Sequence, residues 1–191
     1  VDGKQHGQGT YRLPNGYEYT GEWVDGEIRG IGTARFPNGS VYEGAFANGQ
    51  PEGRGKITFA DGSTYDGDWV NGKINGSGIA QYSNGVRYEG GFVEAQHHGQ
   101  GRMDGPNGYV YEGMWSNGKK HGAGRITYPD GAIYEGQLVH DKREGRGTLT
   151  LTDGLVYVGD WADGQINGQG QLTQPNGDVY EGDLVNGQRH G

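Results

Sequence analysis

Aromatic and large apolar residues recur at fixed intervals along this chain, separated by single polar residues or glycines. A tyrosine occurs every 23 residues, at Tyr19, Tyr42, Tyr65, Tyr88, Tyr111, Tyr134, Tyr157 and Tyr180. Glycine follows each tyrosine by two residues, and a large apolar residue follows it by four: Trp23, Phe46, Trp69, Phe92, Trp115, Leu138, Trp161 and Leu184. Residues two apart on a strand lie on one face of a sheet, so the pattern predicts one β-strand per repeat.

A second segment of each repeat also alternates, as in "GKITF", where Gly55, Ile57 and Phe59 are expected to share a face. Asn-Gly and Asp-Gly pairs such as Asn38-Gly39 follow this segment, and they supply the positive φ of tight hairpin turns. We therefore assign the tight turns to these pairs and a longer connection to the glycine-rich segment "ANGQPEG" (47–53). Each repeat is predicted to be one β-hairpin, and the repeats together an antiparallel meander without helices.

Glycines also occur inside the predicted strands, as at Gly44 and Gly55. Glycine weakens a strand because it has no side chain to pack. An aromatic ring that lies over a bare glycine backbone compensates for this, and it covers one face of a sheet without a second sheet. The pattern therefore predicts an all-β fold with a single-layer antiparallel sheet.

The repeat "YEGMWSNGKKHGAGRITYPDG" (Tyr111–Gly131) resembles the MORN (membrane occupation and recognition nexus) repeat at each of its characteristic positions. The resemblance covers a single array over residues 1–191, with complete repeats from 19 to 179 and partial repeats at 1–18 and 180–191. It implies an elongated, twisted single-layer sheet of tandem 23-residue hairpins, which acts as a scaffold and is often homodimeric. Because the chain begins and ends within a repeat, we expect it to be part of a longer protein.

Composition and charge restrict the function further. The net charge of −8 disfavours binding to nucleic acid and to anionic lipid, and the absence of cysteine excludes disulfides and Cys-ligated zinc. We found no P-loop and no HExxH motif, and the acidic pair Asp66 and Asp68 is more typical of a solvated face than of a calcium site. We therefore expect no cofactor, no metal and no catalysis. A cytoplasmic location is the expectation.

The aromatic face is the main candidate site. Its residues are predicted to form the structural core, and their remaining exposed surface is predicted to form a protein-binding groove. The candidate groove residues are Tyr19, Trp23, Tyr42, Phe46, Phe59, Tyr65, Trp69, Tyr88, Phe92, Tyr111, Trp115, Tyr134, Tyr157, Trp161 and Tyr180. The predicted partner is protein, with homodimerisation through the terminal repeats, where edge strands leave backbone groups unpaired.

Basic residues in two neighbouring connections suggest an alternative function. Lys119, Lys120, Lys142 and Arg143 are expected to project from one edge of the sheet, where they could contact an anionic lipid headgroup. A solvated edge that carries both positive and negative charges explains the same residues, because Glu144 directly follows Arg143. The sequence leaves open both readings, and it also leaves open whether the departures from the repeat at Ala95, Gly105 and Asp141 carry function or are drift.

Overall fold

The computed structural model describes residues 2–190, and nearly all of them lie in β-strands or in the turns that join the strands. The one helical element is a short 3₁₀ turn at Pro106–Gly108 in the described chain. The all-β prediction is therefore confirmed. Internal contacts divide the chain into two compact units, residues 1–96 and residues 97–191.

The first unit is an antiparallel meander in which each strand pairs with the next along the chain. Its strands are β1 (Gly7–Arg12), β2 (Glu18–Val24), β3 (Glu27–Arg35), β4 (Val41–Ala47), β5 (Gln50–Thr58), β6 (Thr64–Val70), β7 (Lys73–Gln81) and β8 (Arg87–Val93). Within the residues that the structure describes, the unit is one layer, as the glycine pattern predicted.

The second unit repeats the arrangement, again with antiparallel pairing between successive strands. Its strands are β9 (Gln96–Asp104), β10 (Val110–Ser116), β11 (Lys119–Thr127), β12 (Ile133–Val139), β13 (Lys142–Thr150), β14 (Val156–Ala162), β15 (Gln165–Thr173), β16 (Val179–Val185) and β17 (Gln188–Arg189). The final position of the glycine series, Gly191, lies outside the described residues.

The assignment of the two kinds of connection was wrong. The tight turn lies in the segment that we predicted to be the longer connection: only Asn48 and Gly49 separate β4 from β5, with φ of 52° and 75°. Two positive φ values in a two-residue loop are typical of a type I′ hairpin turn, whose twist matches that of the flanking strands. The Asn38-Gly39 pair instead lies in a five-residue loop between β3 and β4.

The longer loops are closed by their own hydrogen bonds. The Phe36 N–H donates to the carbonyl oxygen of Ser40 (2.9 Å), and the Gly39 N–H donates to that of Phe36 (3.0 Å). The Asn38 side-chain oxygen accepts from the Ser40 N–H at 2.9 Å. Asn or Asp is needed here for its side-chain acceptor and glycine for its φ of 91°. The dipeptide thus predicted a connection correctly but not its length.

A bulge in the second strand sets which residues reach the aromatic face in six of the described hairpins. Gly44 lies opposite Gly55, but Phe46 lies opposite Pro51, so two extra residues are accommodated around Gly53. Gly53 has a φ of 85°, a conformation that a side chain disfavours. In such a hairpin the ninth residue after the repeat tyrosine lies opposite the fourth. After Tyr42, for example, these residues are Pro51 and Phe46.

Glycine pairs with glycine between neighbouring strands from β1 to β8 in the first unit and from β9 to β16 in the second. The resulting rows cross the strands and comprise Gly9, Gly21, Gly32, Gly44, Gly55, Gly67, Gly78 and Gly90 in the first unit, and Gly101, Gly113, Gly124, Gly136, Gly147, Gly159, Gly170 and Gly182 in the second. A methyl group at Gly55 would collide with the Tyr42 ring, and one at Gly147 would collide with the Tyr134 ring. The repeat tyrosines therefore lie directly on these rows, as predicted.

Candidate functional site: an aromatic face in each unit

We call the side of each sheet that carries the repeat tyrosines the ring face. Each tyrosine is buried there except Tyr180, which is half-buried, and each hydroxyl donates to the backbone carbonyl oxygen three residues later. The Tyr42 hydroxyl thus bonds to Ala45 and the Tyr134 hydroxyl to Gln137, each at 2.7 Å. Burial raises the pKa of both hydroxyls to about 12. Their role is structural, because neither face of the ring is free for a partner.

The first unit joins its rings into a continuous aromatic ladder. Phe46 packs edge-on against Tyr19 and Tyr42, and Trp69 packs in the same way against Tyr42 and Tyr65. Ring centroids lie 5.0–5.6 Å apart, within the range preferred for edge-to-face pairs. The ladder extends from Tyr11 through Trp23 at one end to Phe92 and Tyr88 at the other.

A groove of about 670 Å³ lies over this ladder. Its floor includes Phe46, Ile57 and Trp69, and its rim on the long-loop side includes Leu13, Tyr17, Phe36 and Pro37. Leu13 is 39% exposed. Lys73 is the one charged lining residue, so the groove offers an apolar surface to a ligand.

The second unit has the same tyrosines, but its ladder is interrupted. Tyr111 packs edge-on against Trp115, and Tyr134 and Tyr157 both pack against Trp161. Leu138 and Leu184 occupy the positions at which the first unit has phenylalanine, and each is 1% exposed. A leucine provides no ring edge, so the aromatic contacts of this unit form separate groups.

Basic residues lie on the ring face of the second unit. We call the residues nine positions after each repeat tyrosine the ninth-position residues. In the first unit they are Ile28, Pro51 and Ile74, and in the second they are His97, Lys120, Arg143, Ile166 and Arg189. The pairing places Lys120 opposite Trp115 and Arg143 opposite Leu138. The same backbone position is therefore apolar in one unit and mostly basic in the other.

The cations of Lys120 and Arg143 lie against aromatic rings. Lys120 Nζ lies 5.0 Å from the centre of the Tyr109 ring and 5.6 Å from that of Tyr111. Arg143 Cζ lies 4.3 Å from the centre of the Trp161 ring, and its guanidinium donates to the carbonyl oxygen of Gly164 at 2.7 Å. Cation–π contacts of this kind hold a charge in place without neutralising it.

The other ninth-position residues differ in charge. Arg189 lies 5.1 Å from the centre of the Tyr180 ring. His97 packs edge-on against Trp115 at 4.8 Å, and burial lowers its pKa to about 4. His97 is therefore neutral near pH 7, and the positive charge of this face comes from Lys120, Arg143 and Arg189.

The structure separates the four basic residues that we predicted to form one edge. Lys120 and Arg143 turn onto the ring face, and Lys142 Nζ bonds to an Asp163 carboxylate oxygen at 2.6 Å. Lys119 is exposed and forms no ion pair within the described part of the chain. The expectation of a shared basic edge is therefore wrong, because alternate residues of a strand point to opposite faces.

Phe59, the remaining predicted groove residue, lies just beyond the end of β5 and is 37% exposed. The side of the sheet opposite the ring face carries the acidic pair Asp66 and Asp68. There Asp68 pairs with Arg54 at 3.2 Å, and its second oxygen accepts from the Ser77 N–H at 2.9 Å. Asp68 thus has two partners within the protein, which agrees with the prediction that these carboxylates form a solvated face and not a calcium site.

Comparison with known proteins supports the repeat assignment. The family model of the MORN repeat matches residues 1–16, 19–41, 42–64, 65–87, 88–108, 111–133, 134–156, 157–179 and 180–191. No curated protein matches the chain. No helix of residues 2–190 has the length and apolar character that crossing a membrane requires.

Two solved structures are among those similar to this chain. The TCP domain of SAS-4 (dCPAP) from Drosophila melanogaster, solved in complex with a proline-rich motif of Ana2 (dSTIL), is 15% identical, with 92% of this chain and 88% of that chain covered and a TM-score of 0.50. The TCP10 domain of Danio rerio CPAP, solved with a peptide of STIL, is 14% identical, with 93% and 98% covered and a TM-score of 0.40.

Proposed function

Because the chain belongs to the MORN repeat family, we propose that it is a non-catalytic, cytoplasmic scaffold that binds an extended segment of a partner protein on its ring face. The observation that carries the proposal is the apolar groove of the first unit. Its floor is built from rings that the fold already holds in place, and its rim exposes further apolar side chains. A preformed apolar groove lowers the cost of ordering a ligand on binding.

The proposed occupant is an extended peptide. Grooves lined by aromatic residues suit proline-rich segments, because a polyproline II helix is already ordered before it binds. The Drosophila domain of similar fold was solved with a proline-rich motif, which supports the choice of ligand class.

The test compares two exposed aliphatic residues on opposite sides of the first sheet. Leu13→Asp places a carboxylate in the groove, and Ile31→Asp is the matched control, because Ile31 is 63% exposed on the other side. Peptides selected on the purified chain from a random display library are measured against both variants by calorimetry. We expect Leu13→Asp to weaken binding about tenfold or more and Ile31→Asp to leave it within about twofold. Equal effects of the two variants, or no enriched peptide, would contradict the proposal.

We further propose that the protein forms homodimers through its terminal strands. β1 pairs with β2 along one edge, and an edge strand provides backbone groups for pairing with another chain. Light scattering over a range of concentrations tests this part. A strict monomer at the highest concentration would remove the dimer and leave the groove proposal to its own test.

Lipid binding is a weaker second candidate. Lys120 and Arg143 lie on the ring face and Lys142 pairs with Asp163, so Lys119 offers the most accessible charge at the predicted edge. Flotation with vesicles that contain anionic lipid, with Lys119→Glu/Lys142→Glu as the variant, tests this function. Binding that the double variant abolishes would support it, and absence of flotation would remove it.

A further inference from the structure

The second unit presents positive charges on an aromatic surface, in a chain whose net charge is −8. No carboxylate of the described residues lies within ion-pair distance of Lys120 or Arg143. By contrast, Arg102, Arg125 and Arg146 each pair with a carboxylate on the opposite side of the sheet. The ring face therefore carries cations whose attraction for an anion is not already satisfied by the chain.

Both head groups keep hydrogen-bond donors. The guanidinium of Arg143 has five N–H groups, and its Nε and one terminal nitrogen bond to the Gly164 carbonyl oxygen. Lys120 Nζ contacts rings and forms no hydrogen bond within the described residues. An incoming carboxylate could thus form a charge-assisted hydrogen bond at each position, and such bonds are stronger than neutral ones.

Two depressions lie beside Arg143, one mainly apolar and one of mixed polarity with Gln165 and Asn186 in its lining. One, of about 460 Å³, includes Tyr128, Pro129 and Leu151, and the other, of about 530 Å³, includes Trp161 and Ile166. Arg143 lines both depressions. Asp130 also lines the first, but one of its oxygens accepts from the Ala132 N–H. A ligand that crosses Arg143 would therefore meet apolar surface at Tyr128, Pro129 and Leu151 on one side, and a mixed surface that includes Trp161 and Gln165 on the other.

The spacing of the two backbone positions points to the conformation of the ligand. The backbones of Lys120 and Arg143 lie at equivalent positions of neighbouring repeats, two strands or about 9.5 Å apart, and the long side chains can adjust the separation of their head groups. Three residues of polyproline II helix advance about 9.3 Å and return to the same side of that helix. Two acidic residues three positions apart on such a segment would therefore meet the two cations in turn.

We propose that the ring face of the second unit binds an acidic segment of a partner protein in polyproline II conformation, with carboxylates three residues apart on Lys120 and Arg143. The inference rests on the proposed function, since it specifies which segment one unit selects. It differs in that the selectivity depends on charge, whereas the groove of the first unit is apolar.

The probe is a fluorescein-labelled nonaproline with glutamate at positions 4 and 7, measured by fluorescence anisotropy. Two matched peptides are its controls: one carries glutamine at the same positions, and the other carries glutamate at positions 4 and 6. We expect the first peptide to bind about tenfold more tightly than either control. Equal binding of the glutamate and glutamine peptides, or no binding of any of them, would overturn the proposal.

Variants of the chain assign the site. Lys120→Met and Arg143→Met keep an apolar stem of similar length over the rings and remove the charge, and each should reduce the preference for glutamate about fivefold or more. Lys119→Met and Lys142→Met remove the same charge from neighbouring positions and should change the preference less than twofold. Circular dichroism confirms that each variant is folded. Equal losses from both pairs would show a non-specific effect of charge and would also overturn the proposal.

The failure of this inference and that of the proposed function are distinguishable. If the glutamate and glutamine peptides bind equally well, charge selection is wrong while peptide binding by a ring face stands. If no peptide of this series binds, charge selection is again wrong, and the proposed function is judged by the Leu13→Asp experiment on the first unit.

Discussion

The two units share one backbone pattern but differ in the chemistry of their ring faces. In the first unit, phenylalanine and tryptophan alternate four residues after each tyrosine, and the ninth-position residues are apolar. In the second, leucine replaces phenylalanine, and lysine and arginine occupy most ninth positions. The tyrosines and the glycine rows are the same in both. The comparison teaches that the framework residues make the sheet, while a separate set of positions determines what it can bind.

Alkaline pH should separate the two units most strongly. Burial raises the pKa of Tyr19, Tyr42 and Tyr65 to about 12 in the first unit; in the second it raises the pKa of Tyr134 to about 12 and also raises that of Tyr157. A tyrosine whose folded pKa lies above the unfolded value of 10 contributes stability that is complete below about pH 10 and is lost as the pH rises through about 12. We therefore expect the first unit to unfold at lower pH, as measured by fluorescence of variants that keep tryptophan in one unit only.

Tyr42→Phe is the control for this pH dependence. It removes one titrating group and the hydrogen bond to Ala45, which costs about 1 kcal/mol at neutral pH. The variant should lose less stability than the parent between pH 10 and pH 12. Parallel loss in the two proteins would contradict the assignment of the effect to buried tyrosines.

Substitution of the glycine rows should damage both units alike. Gly55→Ala and Gly147→Ala each place a methyl group against a repeat tyrosine, and we expect each to lower the free energy of unfolding by about 3 kcal/mol. Gly62→Ala is the control, because a methyl there has open space and only the φ of 89° is unfavourable, at about 1 kcal/mol. Urea denaturation measures all three, and a cost at Gly55 no larger than at Gly62 would contradict the role of the row.

Breaking the ladder of the first unit should have a smaller effect. Phe46→Leu gives this unit the side chain found at Leu138 in the second and removes two edge-to-face contacts, so we expect a loss of about 2 kcal/mol. Urea denaturation is again the measurement. A neutral effect would mean that continuity of the ladder contributes little and that the difference between the units concerns binding alone.

The smallest effect is expected at the turns that lack glycine. Ala95 has a φ of 65° and Asp141 a φ of 70°, both unfavourable for residues with a side chain. Ala95→Gly should therefore stabilise the protein by about 1 kcal/mol. Asp141→Gly should be nearly neutral, because it also removes the hydrogen bond from the Lys120 N–H to the Asp141 carboxylate. Equal gains at the two sites, measured as shifts in the thermal midpoint, would contradict this difference.

Much of the fold follows from the repeat alone. The two-residue spacing of Tyr42, Gly44 and Phe46 places them on one face, and the ring over Gly55 is confirmed. The pairing of glycine with glycine across strands is a matter of register, which single strands do not reveal. The turn assignment was wrong because most repeats have two Asn-Gly or Asp-Gly dipeptides, and their residue types alone do not show which one is the tight turn. The structure shows that Asn48-Gly49 joins two strands without further residues.

The basic ring face was missed as a consequence of that error. With the turn at Asn48-Gly49, Phe46 must face Pro51, and by equivalence Leu138 must face Arg143. The ninth-position residues then belong to the ring face and not to an edge. A correct turn assignment would therefore have separated Arg143 from Lys142 and brought it into the candidate site.

Each tight turn is also bonded to the repeat before it: the Gly49 N–H donates to the carbonyl oxygen of Ile28, and the Gly72 N–H to that of Pro51. An insertion of a single residue would misalign such a bond at the turn and the aromatic contacts on either side. Whole repeats, by contrast, can be gained or lost without disturbing their neighbours. We therefore expect relatives to differ in length by whole repeats. Evolution can then change the number of binding positions while the hydrogen bonds between neighbouring repeats stay the same.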